Sequence, residues 1–246
     1  MNSDRGRMIK VFQSAKEANI AAADLLSGWL IEKSTRTFMP AAGNTPLELY
    51  RLIAEKCLDP AHLNIFILDE YVGVPRTEPR NCANLLRGSV QQAWGIPERQ
   101  FHTISSEETD ALPSVLAHEK KIDLAGGLDV LVLGLGQNGH LGFNEPGSAK
   151  DSKARIVPLE EISVAANRKW FEGKYAPDKG VTVGLDTILA ARRILIIAYG
   201  AHKADAVRAM HNGPVTPQCP ASFLQEHSAV HVYLDESAAA KLKSPR

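Results

Sequence analysis

Residues 134–147, GLGQNGHLGFNEPG, place one imidazole, one carboxylate and three carboxamides on a turn-rich run. His140, Glu145, Asn138 and Asn144 are the side chains there that can do chemistry. An imidazole titrates close to neutrality. An acid in reach can hold its charge, so the pair is a natural proton shuttle. Gly134, Gly136 and Gly139 also spell Gly-x-Gly-x-x-Gly. A dinucleotide loop needs a helix just after the second glycine and usually an acid about 20 residues on. Here that helix would run through Gly139, Gly142 and Pro146, which are poor helix residues. The run therefore reads as a glycine-supported catalytic loop.

Three further clusters could join it. In AAGNTP (41–46), Gly43 permits a tight turn, Thr45 suits a helix N-cap and Pro46 the first helical position. Backbone N–H groups at such a start favour an anion. In LDEY (68–71), Asp69 and Glu70 follow an apolar run. An acid there becomes a general base when partly desolvated. In GAHK (200–203), Lys203 can reach over a sheet edge to a phosphate. Each cluster alone is ordinary; their shared placement is not.

That placement comes from alternating elements. Strands are expected at 8–12, 35–43, 63–70, 128–134, 193–200 and 229–236. Helices are expected at 14–33, 46–57, 81–93, 107–124, 160–172 and 201–210, the first with Ala18, Ala22, Leu25, Leu26 and Trp29 on one stripe. The pattern predicts a single α/β domain over 1–246: a mainly parallel sheet with helices on both faces, Rossmann-like but without a dinucleotide site. Ligands in such folds bind at the carboxyl ends of strands, where all four clusters fall. Residues 1–7 are expected to be disordered. Residues 144–172 are the candidate lid.

Composition narrows the classes. Lys plus Arg equals Asp plus Glu, 28 each, in 246 residues. That is no nucleic-acid footprint. Cys57, Cys82 and Cys219 are far apart and form no CxxC pair, which favours a reduced, cytoplasmic protein. No apolar run is long enough for a membrane span, and the start lacks a signal-peptide core. The eight histidines form no ligand cluster, so no metal site is expected. His227 and His231 are four apart, but the second lies in a strand pattern.

Taken together, LDEYVG (68–73), GLGQNGHLGFNEP (134–146), GNTP (43–46), VTVGLDTIL (181–189), GAHKA (200–204) and SFLQEHS (222–228) resemble the glucosamine-6-phosphate deaminase/isomerase family in order and over nearly the whole chain. The resemblance implies deamination and isomerisation of a hexosamine 6-phosphate with no metal or redox cofactor. It implies that Asp69 moves the proton between C2 and C1, that His140 assists ring opening and that Glu145 partners the histidine. Ala42, Gly43, Asn44, Thr45 and Lys203 would hold the phosphate. Glu70, Gly136 and Gly139 would lie on the substrate surface.

Four departures stand out. Asn138 replaces an aspartate common in the family; it can orient an imidazole but cannot stabilise an imidazolium by charge. Ala42 stands where a hydroxyl is common. Lys169, beside Arg168, stands where an arginine closes on the phosphate, and lysine is a poorer bidentate partner. Arg155 is retained from the effector site of hexameric relatives, but Val157 replaces a lysine, so no activation by an N-acetyl sugar phosphate is expected. The Asn-Gly-His-Leu-Gly loop resembles galactosamine-6-phosphate isomerases and tilts the substrate towards the galacto sugar. A 6-phosphogluconolactonase is the enzymatic rival. A sugar-phosphate sensor is the non-catalytic one, although Met8 leaves no room for a preceding helix-turn-helix. The partner is a small sugar phosphate, with no nucleic acid and no membrane; relatives include monomers and hexamers, so a homo-oligomer is compatible.

Overall fold

A computed structural model describes residues 7–56 and 58–242. The chain runs β1 (Arg7–Phe12), α1 (Ala15–Leu30), β2 (Thr37–Met39), α2 (Leu47–Glu55), β3 (Asn64–Phe66), β4 (Asp69–Tyr71), α3 (Cys82–Leu86), β5 (Phe101–His102) and α4 (Ala111–Leu124). It continues with β6 (Val130–Leu133), β7 (Arg155–Pro158), α5 (Glu161–Trp170), β8 (Lys179–Thr182), α6 (Leu185–Leu189), β9 (Arg193–Ala198), α7 (Ala204–Asn212), β10 (Val230–Asp235) and α8 (Glu236–Ala239). Seven strands form one sheet in the order β1-β10-β9-β6-β2-β3-β5. Every pairing in it is parallel.

The parallel sheet follows from its composition. All four side chains of β6 and five of six in β9 are buried. A strand can be apolar on both faces only if both are covered, and β-α crossovers supply the cover. Ser14 starts α1 by accepting the Glu17 N–H at 3.2 Å, as its cap-favouring hydroxyl predicts.

The sequence pattern misses a second sheet. β4, β8 and β7 pair antiparallel beside the main sheet, with Asp69 opposite Thr182 and Val157 opposite Gly180. The expected strand 63–70 therefore breaks after Phe66, and its two acids begin a different strand. Helix 81–93 is α3 followed by a π-helical turn, Arg87–Gln92. Helix 201–210 opens with a 3₁₀ turn at Ala201–Lys203. Thr45 does not cap α2; Pro46 occupies the cap and no side chain bonds there. The disorder expected for 1–7 falls on residues outside those described, except Arg7, which already pairs with Val230.

The lower edge of the sheet is fixed by Asp129. Its Oδ2 accepts the Arg36 and Thr37 N–H groups at 2.6 and 3.0 Å, and Oδ1 pairs with Arg192. Asp129→Ala would leave two backbone donors unmatched. It is expected to lower stability by about 3 kcal/mol, read as a drop in urea midpoint, with substrate affinity of the folded protein unchanged because Asp129 lies at the end of β6 away from the 134–147 loop.

Candidate active site

The chain leaves β6 at Leu133 and turns without forming a helix until Glu161. A dinucleotide helix is thus absent from this loop. Gly136 lets the loop fold on itself: a Cβ there would lie 2.4 Å from the His140 ring. Its backbone is the floor under the imidazole, closed by Gly136 N–H donating to His140 O at 3.1 Å. Gly142 has φ +58, and a Cβ there would lie 3.1 Å from Asp69 Oδ2. The glycine spacing therefore brings the loop against the end of β4, and with it Asp69 against the histidine turn.

Behind His140 sits Glu145, only 5 % exposed. Its Oε2 takes His140 Nδ1 at 3.3 Å and Asn138 Nδ2 at 2.7 Å. Its Oε1 accepts the Ser163 hydroxyl from α5. Burial opposes its charge, but the bonds to His140, Ser163 and Asn138 hold the carboxyl below its usual value. Asn138 does not orient the imidazole, as the sequence suggested. Its amide orients the glutamate, and its Oδ1 accepts the His140 backbone N–H at 3.3 Å. Asn144 is fully buried and holds the loop down, donating to Leu141 O and Val183 O at 3.0 Å each.

Asp69 and Glu70 divide the work by strand alternation, which sends neighbours to opposite faces. Asp69 lines the cavity; Glu70 does not. Burial pushes the Asp69 carboxyl up to about 7, against a hydrogen bond from the Cys82 thiol and with a further push from the Glu70 charge. Glu70 accepts the N–H groups of Tyr71, Cys82 and Ala83 at 2.8, 3.0 and 2.8 Å. Burial raises it too, opposed by those bonds. It anchors the start of α3 and does not reach the substrate surface on which it was expected.

The open cavity holds about 240 Å³, somewhat below the usual range for small-molecule pockets. Ala42, Gly43 and Thr45 line one wall, and Lys203 lines it with them. Asn44 and Gly139 do not. Gly43 turns at φ +98 into α2, and Pro46 at the start of that helix also lines the cavity. Lys203 Nζ donates to Leu135 O at 2.6 Å, and burial lowers its ammonium below the usual value.

Another wall is α5. Ser163, Ala166, Asn167 and Trp170 line it, an i, i+3, i+4, i+7 face. Arg168 and Lys169 fall outside that face and are exposed, so neither closes the cavity here. Ser163, Arg80, Cys82, Asn167 and Trp170 escaped the sequence reading; the helical phase of 163–170 is the signal that could have found three of them. Arg155, considered for effector binding, is committed to Asn144 Oδ1 and Ser148 Oγ at 2.9 and 2.8 Å. Among the described residues no group of three or more His, Cys, Asp or Glu could hold a metal ion, and no helix is long and apolar enough to cross a membrane.

The Asp69 environment makes a signed prediction. Its folded value near 7 stands against about 3.9 in an unfolded chain, so between these values the fold holds a proton that the unfolded chain has lost. Wild-type stability falls as pH rises through that window. Asp69→Asn removes the Asp69 share of this fall and leaves that of Glu70. In thermal melts the variant should gain on the wild type from pH 4 to 7 and level off above; a constant difference from pH 4 to 8 would show an ordinary carboxyl.

Residues 13–233 match the family described as glucosamine-6-phosphate isomerases/6-phosphogluconolactonase. A glucosamine-6-phosphate deaminase of Cutibacterium acnes is 40 % identical over 226 residues, covering 90 % of this chain and 87 % of the relative. One of Rhodopirellula baltica is 38 % identical over 232 residues, covering 90 % and 92 %. Among solved structures, a monomeric glucosamine-6-phosphate deaminase superposes with a TM-score of 0.91 at 30 % identity, covering 95 % of this chain and 99 % of that one. A 6-phosphogluconolactonase from Trypanosoma cruzi reaches 0.78 at 22 % identity, covering 98 % of each chain, which is likeness of fold alone. The chain belongs to the glucosamine-6-phosphate isomerase/6-phosphogluconolactonase family.

Proposed function

We propose that this chain converts glucosamine 6-phosphate and water into fructose 6-phosphate and ammonia. One observation carries the reading: a buried, proton-holding carboxyl (Asp69) and a glutamate-backed imidazole (His140) line one small cavity together with the Gly43–Thr45 turn and Lys203. Relatives at 40 % and 38 % identity bear the deaminase name.

The geometry supports these steps. The 43–45 turn and Lys203 hold the phosphate. His140, backed by Glu145, moves the proton between ring oxygen and anomeric hydroxyl, opening the sugar. Asp69 takes the C2 proton, the C1 carbonyl gains a proton, and an enolamine forms. The same carboxyl returns a proton to C1, giving the imine at C2. Water adds to that carbon and ammonia leaves, giving the ketose. One base can serve two adjacent carbons when both protons move on one face. Each acid–base step of this kind contributes about 10² to 10⁴ in rate, and positioning with electrostatics supplies the remainder.

The sequence tilt towards galactosamine 6-phosphate rested on the Asn138 form of the loop. The bonds of Asn138 to Glu145 and to the His140 N–H explain that form as relay packing, and the relatives reported above carry the gluco name. The gluco sugar is therefore the preferred substrate in this reading.

The test is ammonia release from glucosamine and galactosamine 6-phosphates, side by side, by wild type and Asp69→Asn, with lactone hydrolysis as a control. Expected are release from the gluco sugar, an acid limb in kcat/KM near pH 7 as Asp69 ionises, and at least a tenfold loss in the variant. Release from the galacto sugar alone would reverse the substrate assignment. Lactone hydrolysis alone, or sugar-phosphate binding without turnover, would replace the deaminase reading with the lactonase or the sensor.

A further inference from the structure

A phosphate monoester is close to a dianion near neutrality, and Lys203 supplies one positive charge. Among the described residues lining the cavity, the other permanently cationic side chain is Arg80, which the sequence did not single out. Arg168 and Lys169, where a closing cation was expected, are exposed and off the wall. Arg80 precedes α3, and its backbone is fixed to the end of α5: Trp170 Nε1 donates to Arg80 O at 2.9 Å. Its guanidinium leans on the same end, with Nη1 donating to Trp170 O at 3.2 Å and Nη2 paired with Glu172.

Glu172 is itself unusual. It is the one non-glycine residue with positive φ among those described, at 53°. It occupies the left-handed position after α5, where glycine is the usual choice. Gly173 N–H returns to Arg168 O at 2.8 Å across it. The chain thus holds a carboxylate in an unfavourable backbone state, and that carboxylate meets the cavity's arginine. The side chain is 73 % exposed, so the pair is weak and readily exchanged. A guanidinium that can fork onto a carboxylate can fork onto a phosphate.

We propose that Arg80 is the cation that closes on the substrate's phosphate together with Lys203, and that Glu172 holds it until the phosphate takes Glu172's place. Because Arg80 is tied to the end of α5 through Trp170, the exchange takes place on the helix whose Ser163 already holds Glu145. The inference rests on the sugar-phosphate reading above.

Calorimetric titration with inorganic phosphate and with fructose 6-phosphate reads the anion site without turnover. Arg80→Ala is expected to weaken both by about ten- to a hundredfold and to raise KM more than it lowers kcat, with Arg80→Lys in between. Glu172→Gln removes the competitor without removing a donor to phosphate, and is expected to tighten phosphate binding several-fold; a merely structural role at the end of α5 would weaken it. Equal phosphate affinity in wild type and Arg80→Ala overturns the inference, as does weaker binding in Glu172→Gln. A wild type that binds neither anion overturns the sugar-phosphate reading itself, and the inference with it.

Discussion

The Glu145 carboxylate holds three parts of the molecule in register. Its Oε2 takes the imidazole of His140 and the amide of Asn138; its Oε1 takes the hydroxyl of Ser163. The first two bonds shape the loop after β6, and the third ties that loop to α5. A buried carboxylate must be matched or become neutral. This one is matched on both oxygens, so it stays charged where burial alone would protonate it. Asp69, across the loop, is pushed the other way by burial, which the hydrogen bond from the Cys82 thiol only partly offsets. Two acids of one cavity are thereby pushed in opposite directions, one held charged against a histidine and one raised towards neutrality.

The small antiparallel sheet is what makes this arrangement possible. β4 turns away from β3, so Asp69 leaves the main sheet and meets the loop. Phe143 lies where a Cβ on Gly180 of β8 would be, 2.3 Å from that position, and Asn144 bonds the Val183 carbonyl. The 134–147 loop is thus seated on β8 as well as on β6. Glu70 completes the support by receiving the first N–H groups of α3, which brings Cys82 to the cavity. Movement of any of these elements would be felt at the Asp69 carboxyl.

Much of this was legible in the residues. The apolar runs at 128–134 and 193–200 hold the buried strands β6 and β9, and their exits carry the glycine loop and Lys203 as expected. The loop could be separated from a dinucleotide site because Gly139, Gly142 and Pro146 forbid the helix. The small sheet was not legible: β7 and β8 are four residues each, lean on neighbours far away in sequence, and show no clean alternation. Glu70 and Asp69 look alike in sequence, and only the break after Phe66 separates their roles. Lys169, with Arg168 beside it, stands where the family resemblance puts a phosphate-closing arginine, while helical phase decides which side of α5 meets the cavity. Arg80 and Ser163 reach the site from elements 90 and 18 residues from their partners Trp170 and Glu145, a distance that no local pattern reports.

The central claim is that one carboxyl, Asp69, moves a proton on one face of two adjacent carbons. The most direct measurement is turnover of glucosamine 6-phosphate in D₂O, with the C1 hydrogens of the ketose product resolved by NMR. The account predicts deuterium at no more than one of the two C1 positions, and no C2 proton loss with Asp69→Asn. Deuterium at both positions in a single turnover, or undiminished C2 proton loss in the variant, would contradict it.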